Sequence, residues 1–281
     1  PYAIMQGIWS FVQFLVEGKN AFDPTVPKWT LWFLLALAIF RLVLPYLALL
    51  RWPLLWAVVA SVMVGFFPHV DSTFSLSRAI GILPFFVLGW AIREWDFMGA
   101  WQVASRGTVW ALRTAALTVF GIWLLVVVQN IGPFREFDLR FWFFYDDSYR
   151  ALGEPHWWAG LLRLGLILLA VVLTAAFLTL IPRRRTFFTE FGQATMYVYL
   201  LHSFVLYPIR ESGILKDDHS SAVWLLTMIF ASTAISVALA SPWVRKAFRP
   251  IIEPRPRWLF DRDEAGPPRE SKVDPTGARR R

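Results

Sequence analysis

The sequence has no cysteine. Disulfides, thiolate metal sites and a cysteine nucleophile are therefore excluded. Charge is also sparse. Asp, Glu, Lys and Arg together make up 17% of the 281 residues, against about 25% in an ordinary soluble domain. There are only four histidines. Three of them, His69, His156 and His219, fall in loops without ligand-like spacing, so no metal site is expected. No glycine-rich phosphate loop and no nucleophile elbow occurs. The opening stretch has neither a basic segment nor a small-residue cleavage site, so it does not read as a signal peptide. A chain that starts at Pro1 and is apolar from Tyr2 is expected to be a fragment with residues upstream.

What the sequence does have is apolar and aromatic. Hydrophobic residues are 57%, aromatics 17% with 16 tryptophans, and mean hydropathy is +0.49. Apolar runs of about 18 residues or more predict a polytopic membrane protein. The fold class expected is all-α, a transmembrane helix bundle with about eight spans near 2–17, 29–49, 53–67, 77–93, 109–129, 158–181, 192–209 and 221–244. Pro45 and Pro84 lie inside spans and predict kinks, which a membrane helix tolerates when neighbours satisfy the freed carbonyls.

The net charge of +8 raises nucleic acid as a partner, but no nucleic-acid module accompanies it. The basic residues cluster beside apolar runs and in the tail, where an anionic membrane surface accounts for them. Excess Lys and Arg near span ends favours the cytoplasmic side. "PRRR" (Pro182 to Arg185) and "RKAFR" (Arg245 to Arg249) are therefore expected inside, with both chain ends. Residues 1–244 read as one membrane-embedded domain. Residues 245–281 read as a basic, proline-rich cytoplasmic tail, disordered beyond about Asp261 and lying along the inner leaflet. The stretch 130–157, "NIGPFREFDLRFWFFYDDSYRALGEPHW", is the one long connection between spans. Its mix of aromatics and charges predicts a partial lid packed over the outer face.

Ionisable residues inside spans are expensive and mark candidate functional positions. Arg41, Arg78, Arg163 and His202 qualify. In "TMYVYLLHS", Thr195, Tyr199 and His202 recur at i, i+4 and i+7 and share one helix face. That stripe serves either an interhelical hydrogen bond or a substrate pocket with a hydrogen-bonding or proton-carrying imidazole. Arg78 and Arg163 lie near outer span ends and either snorkel to headgroups or act in a site. Arg41, near an inner end, favours snorkelling.

Three stretches carry a resemblance to a known family: "LWFLLALAIFRL" (Leu31 to Leu42), "SRAIGILPFFVLGW" (Ser77 to Trp90) and "PRRRTFFTEFGQATMYVYLLHS" (Pro182 to Ser203). Taken in order, they resemble the integral-membrane acyltransferases of family 3, with the fucose 4-O-acetylase-like branch nearest. The resemblance implies a helical bundle in a bacterial plasma membrane. It also implies transfer of an acyl group, most often acetyl, from acyl-CoA as donor substrate to a hydroxyl on a sugar, glycan or lipid-linked carbohydrate. No bound cofactor is implied. Arg78 and His202 match family positions, as do Trp32, Pro84 and Gly89. On this basis His202 is expected to orient groups in the pocket and Arg78 to bind the acceptor or an oxyanion. Tyr199, Thr195, Arg163 and Trp32 are expected to contact substrate. The family's principal histidine and its R-x-x-R motif have no counterpart here and are expected upstream of Pro1. A transporter or flippase for a lipid-linked sugar is the alternative reading, although paired repeats with interrupted helices are not visible. A non-catalytic membrane scaffold is a third.

Overall fold

In a computed structural model the chain is described at residues 2–18, 23, 25–70, 73–184, 186, 188–192, 194–214 and 222–254. Among these residues it is all helical, with no strand. The helices are α1 (Tyr2–Glu17), α2 (Trp32–Leu47), α3 (Pro53–Val64), α4 (Leu76–Glu94), α5 (Phe97–Val103), α6 (Arg106–Gln129), α7 (Ile131–Glu136), α8 (Leu139–Trp142), α9 (Trp158–Leu180), α10 (Phe188–Gly192), α11 (Thr195–Glu211), α12 (Ala222–Leu239) and α13 (Pro242–Ile252).

Each of the eight apolar runs forms a helix, but the helices are not eight equal spans. Among the described residues only α4, α6 and α9 are long and apolar enough to cross a bilayer singly. The pair α12 and α13 passes the same test only together, bent by 67°. At 1.5 Å per residue, α1 and α2 reach about 24 Å and α3 about 18 Å, short of a hydrocarbon core of about 30 Å. Local breakers explain the short lengths. Pro53 opens α3, and Gly65 closes it.

The helices pack in three groups. Ala36 and Phe40 of α2, Ala57 of α3, and Ala79, Leu83 and Val87 of α4 form one core. Trp9, Tyr197, Leu200, Leu201, Tyr207 and Ile252 join α1, α11 and α13 in a second. Trp142, Tyr149, Ala159 and Leu166 pin the 130–157 connection to α9 in a third. Helices in lipid gain little from hydrophobic burial against one another, so small residues and cross-helix hydrogen bonds hold them. The buried face of α4 fits this rule, since it carries the small residues Ser77, Ala79 and Gly81. There the Ser61 hydroxyl donates to the Gly81 carbonyl at 2.6 Å. By contrast α6 is nearly bare, with Trp110, Leu117, Leu124 and Val128 all 60% exposed or more, as suits a helix facing lipid.

The connection 130–157 is structured, as its aromatics predict. Its seat is built from two glycines. A Cβ on Gly81 would meet the Tyr145 Cβ at 2.6 Å, and one on Gly65 would meet the Tyr149 ring at 2.4 Å. The tail begins within a helix, Pro242–Ile252, capped by the Ser241 hydroxyl. Its sequence is amphipathic and Ile252 is buried in the second core, which is enough to order it. The disorder expected beyond about Asp261, and His219, lie outside the described residues.

Candidate active site

Arg78 stands in the first turn of α4 and is held from two sides. Its Nη2 donates to Asp146 Oδ2 at 2.5 Å. Its guanidinium carbon lies 4.7 Å from the ring centroid of Trp32, the first residue of α2. Its Nε is buried without a partner. Arg78 therefore has partners within the protein. It is a positioned cation with unused donor capacity. Burial pushes the Asp146 carboxyl above its ordinary value; the Arg78 cation pulls it back, and neighbouring Asp147 adds an upward push.

From Trp32 a run of aromatic contacts leads to α11. Trp32 packs edge-on to Phe33 at 5.8 Å, Phe33 to Tyr199 at 5.4 Å, and Tyr199 lies 5.8 Å from the His202 ring. The Tyr199 hydroxyl donates to the Thr30 carbonyl at 2.5 Å, and the Thr30 hydroxyl reaches Ser203 Oγ at 3.5 Å. These bonds clamp the start of α2 to the middle of α11. Trp32, Arg78, Tyr199 and His202, singled out in the sequence, thus belong to one continuous strip.

Within the Thr195–Tyr199–His202 face Tyr199 reaches Phe33 of α2, yet the face is not closed over. It lines an open cavity of about 750 Å³ between α11 and α12, completed by Phe191, Leu206, Ser232, Thr233 and Ser236. The hydroxyls of Ser232, Thr233 and Ser236 are spent on carbonyls of their own helical turns, and that of Thr195 on the Gly192 carbonyl at the end of α10. They soften the wall but offer a ligand little beyond their lone pairs. His202 Nδ1 lies 3.1 Å from the Val198 carbonyl. A carbonyl only accepts, so Nδ1 carries the hydrogen and a neutral ring keeps its lone pair on Nε2. The packing alternative for His202 needs a cross-helix partner, and the bond it makes is to its own helix.

Arg163 is set apart from this strip. It is fully buried in α9 and donates to the Ser61 carbonyl at 3.2 Å and the Asp147 carbonyl at 3.3 Å. It also lies 4.7 Å from the Tyr149 ring centroid and 5.3 Å from that of Tyr145. Tyr149 completes the arrangement. Its hydroxyl donates to Val62 O at 2.8 Å and its N–H to Gly65 O at 2.7 Å. The last carbonyls of a helix have no partner within it, and α3 ends where water is scarce. A cation at that negative end is favoured by the helix dipole. Arg163 and Tyr149 cap α3 and bolt the 130–157 connection to it. Arg41 is exposed on α2, as snorkelling requires.

The connection thus covers Arg78 but contributes nothing to the wall of the His202 cavity. Asp146, Tyr145 and Ser61 escaped the sequence reading. The acidic pair in "FFYDDSYR" was the available signal for a partner to a nearby arginine, but no spacing rule joins residues 68 apart. Among the described residues no three His, Asp or Glu side chains converge as a metal site would need.

Comparison with known proteins agrees with this architecture. A family model described as an acyltransferase domain, the acyltransferase 3 type, matches residues 1–241. No curated protein and no solved structure matches the chain.

Proposed function

The chain belongs to the acyltransferase 3 family, and we propose that within it the protein works as a multi-pass O-acyltransferase of a bacterial plasma membrane. The donor would be acyl-CoA, most simply acetyl-CoA. The acceptor would be a hydroxyl of a sugar, glycan or lipid-linked carbohydrate. The observation that carries this reading is the cavity between α11 and α12, into whose wall His202 brings an imidazole with its Nε2 lone pair unspent.

In O-acyl transfer the acceptor oxygen attacks the thioester carbonyl and loses its proton to a base. The tetrahedral oxyanion then collapses, and the CoA thiolate leaves and takes up a proton. A base is worth about 10²–10⁴-fold in such a step, and hydrogen-bond donors aimed at the oxyanion often accelerate it more. In this reading His202 Nε2 accepts a hydrogen bond from the acceptor hydroxyl or from a catalytic group beside it, and so fixes its direction. Arg78, oriented by Asp146 and Trp32, supplies a cation for the acceptor or the oxyanion. Thr195, Tyr199 and Trp32 shape the walls, with Tyr199 holding α2 against α11. Arg163 acts at a distance by fixing the connection that carries Asp146.

The test is acyl transfer from radiolabelled acetyl-CoA by membranes carrying the full-length protein. His202→Ala is expected to lower transfer at least tenfold at unchanged expression and melting temperature. His202→Gln, which keeps a donor and acceptor but cannot exchange a proton at neutral pH, separates orientation from proton transfer by retaining part of the rate. Unchanged transfer in His202→Ala would refute the role given to this residue.

A further inference from the structure

At the opposite end of α11 from Tyr207 lies a second cavity, of about 470 Å³, lined by Tyr197, Pro242, Arg245, Lys246, Arg249 and Glu253. The acyl-transfer reading uses none of these residues. We infer that this cavity binds the phosphate of an anionic lipid headgroup, and that α13 lies in the membrane surface with its basic face turned to that leaflet.

Four observations carry the inference. First, α13 does not continue the direction of α12 but turns from it by 67°, as a helix leaving the bilayer core for its surface must. Second, its cations are sorted. At about 100° per residue, Arg245, Lys246 and Arg249 fall within one arc of about 100°. Val244, Ile251 and Ile252 pack with the core of α1 and α11. Third, Trp243 and Phe248 are exposed, Trp243 to 83%. Aromatic side chains beside lysines and arginines characterise helices that lie in the interface. Fourth, charge in the cavity is unbalanced. Glu253 is its one carboxylate, and it is shared between Tyr197, whose hydroxyl donates at 2.8 Å, and Arg249 at 3.5 Å. Among the described residues no acid pairs with Arg245 or Lys246. Two cations facing one hollow repel each other, and an anion placed between them removes that repulsion.

A lipid phosphate fits better than a soluble one because the hollow sits beside exposed aromatics that need a bilayer. The headgroup also arrives at the high local concentration of the leaflet. Each Lys or Arg near an anionic surface contributes about 1 kcal/mol, which is about fivefold in binding. Glu253 opposes that attraction.

The full-length protein, purified in mild detergent, is titrated with phosphatidylglycerol or phosphatidylcholine and the bound lipid counted by native mass spectrometry. One phosphatidylglycerol is expected to be retained in preference to phosphatidylcholine. Arg245→Gln, Lys246→Gln and Arg249→Gln should each weaken retention about fivefold, and Glu253→Gln should strengthen it. Lys246 is exposed, so Lys246→Gln and Glu253→Gln test the site even if an arginine variant fails to accumulate. A packing role for these residues would not make the two change in opposite directions. Equal retention of both lipids, or indifference to all four substitutions, overturns the inference. So does displacement of phosphatidylglycerol by equimolar coenzyme A or inorganic phosphate with the same residue dependence, since that would make the hollow a site for a soluble phosphate. Acetyl transfer is not read in any arm, so failure here leaves the proposed function standing.

Discussion

Replacing Asp146 by asparagine keeps the shape of the side chain and removes its charge, leaving the Arg78 guanidinium with the Trp32 ring and no anion. Two unit charges about 4 Å apart attract by about 4 kcal/mol at an effective dielectric constant of 20. That figure is an upper limit here, because side-chain exposures of 20% for Arg78 and 34% for Asp146 admit screening water. Fully exposed pairs contribute less than about 1 kcal/mol, whereas stranding one member of a buried pair costs about 3–5 kcal/mol. The half-buried pair falls between, and a coupling of about 1–2 kcal/mol is expected. The assay is a double-mutant cycle on Arg78→Gln, Asp146→Asn and the double variant, followed by tryptophan-fluorescence unfolding in detergent and by acetyl transfer. Asp146→Asn should lower transfer in the presence of Arg78 and have no further effect once Arg78 is glutamine, because its contribution runs through the arginine. If the two substitutions add to within about 0.3 kcal/mol, as independent sites do, the pair is incidental and Arg78 owes its position to Trp32 alone.

Gly81→Ala drives a methyl group into Tyr145, 2.6 Å from its Cβ, and overpacking of this kind costs about 1–3 kcal/mol. The melting temperature should fall, while Gly89→Ala, with nothing within 4 Å of its Cβ, should be neutral or slightly stabilising. Burial pushes the hydroxyls of Tyr145 and Tyr149 up to about 12 against the opposing pull of Arg163. The folded state therefore holds two protons that the unfolded chain releases near pH 10. That contribution to stability is complete below pH 10 and is lost as pH rises towards 12. Tyrosinate absorbance should show both groups titrating near 12 in the folded protein, and two that titrate near 10 would mean the connection is not seated on α3 and α4.

Much of the architecture follows from short-range pattern. The apolar runs place eight helices because backbone polar groups in lipid must be satisfied within the segment, whichever neighbours it has. The i, i+4, i+7 spacing of Thr195, Tyr199 and His202 puts them on one face for the same local reason. That the face borders a cavity depends on where α12 stands, and nothing in "TMYVYLLHS" states this. Span count is likewise only half local. Hydropathy finds the runs, but Pro53, Gly65 and the bend between α12 and α13 decide which helices reach across. Arg78 and Arg163 make the division plain. In the sequence both are arginines near the outer ends of apolar runs, with the same two readings. Tertiary structure alone separates them. The chain brings Asp146 and Trp32, both distant in sequence, to one, and the orphan carbonyls of α3 to the other. Such meetings are fixed by helix packing, and only there do a cation paired with a carboxylate and a cation set over the carbonyls of a helix end become different residues.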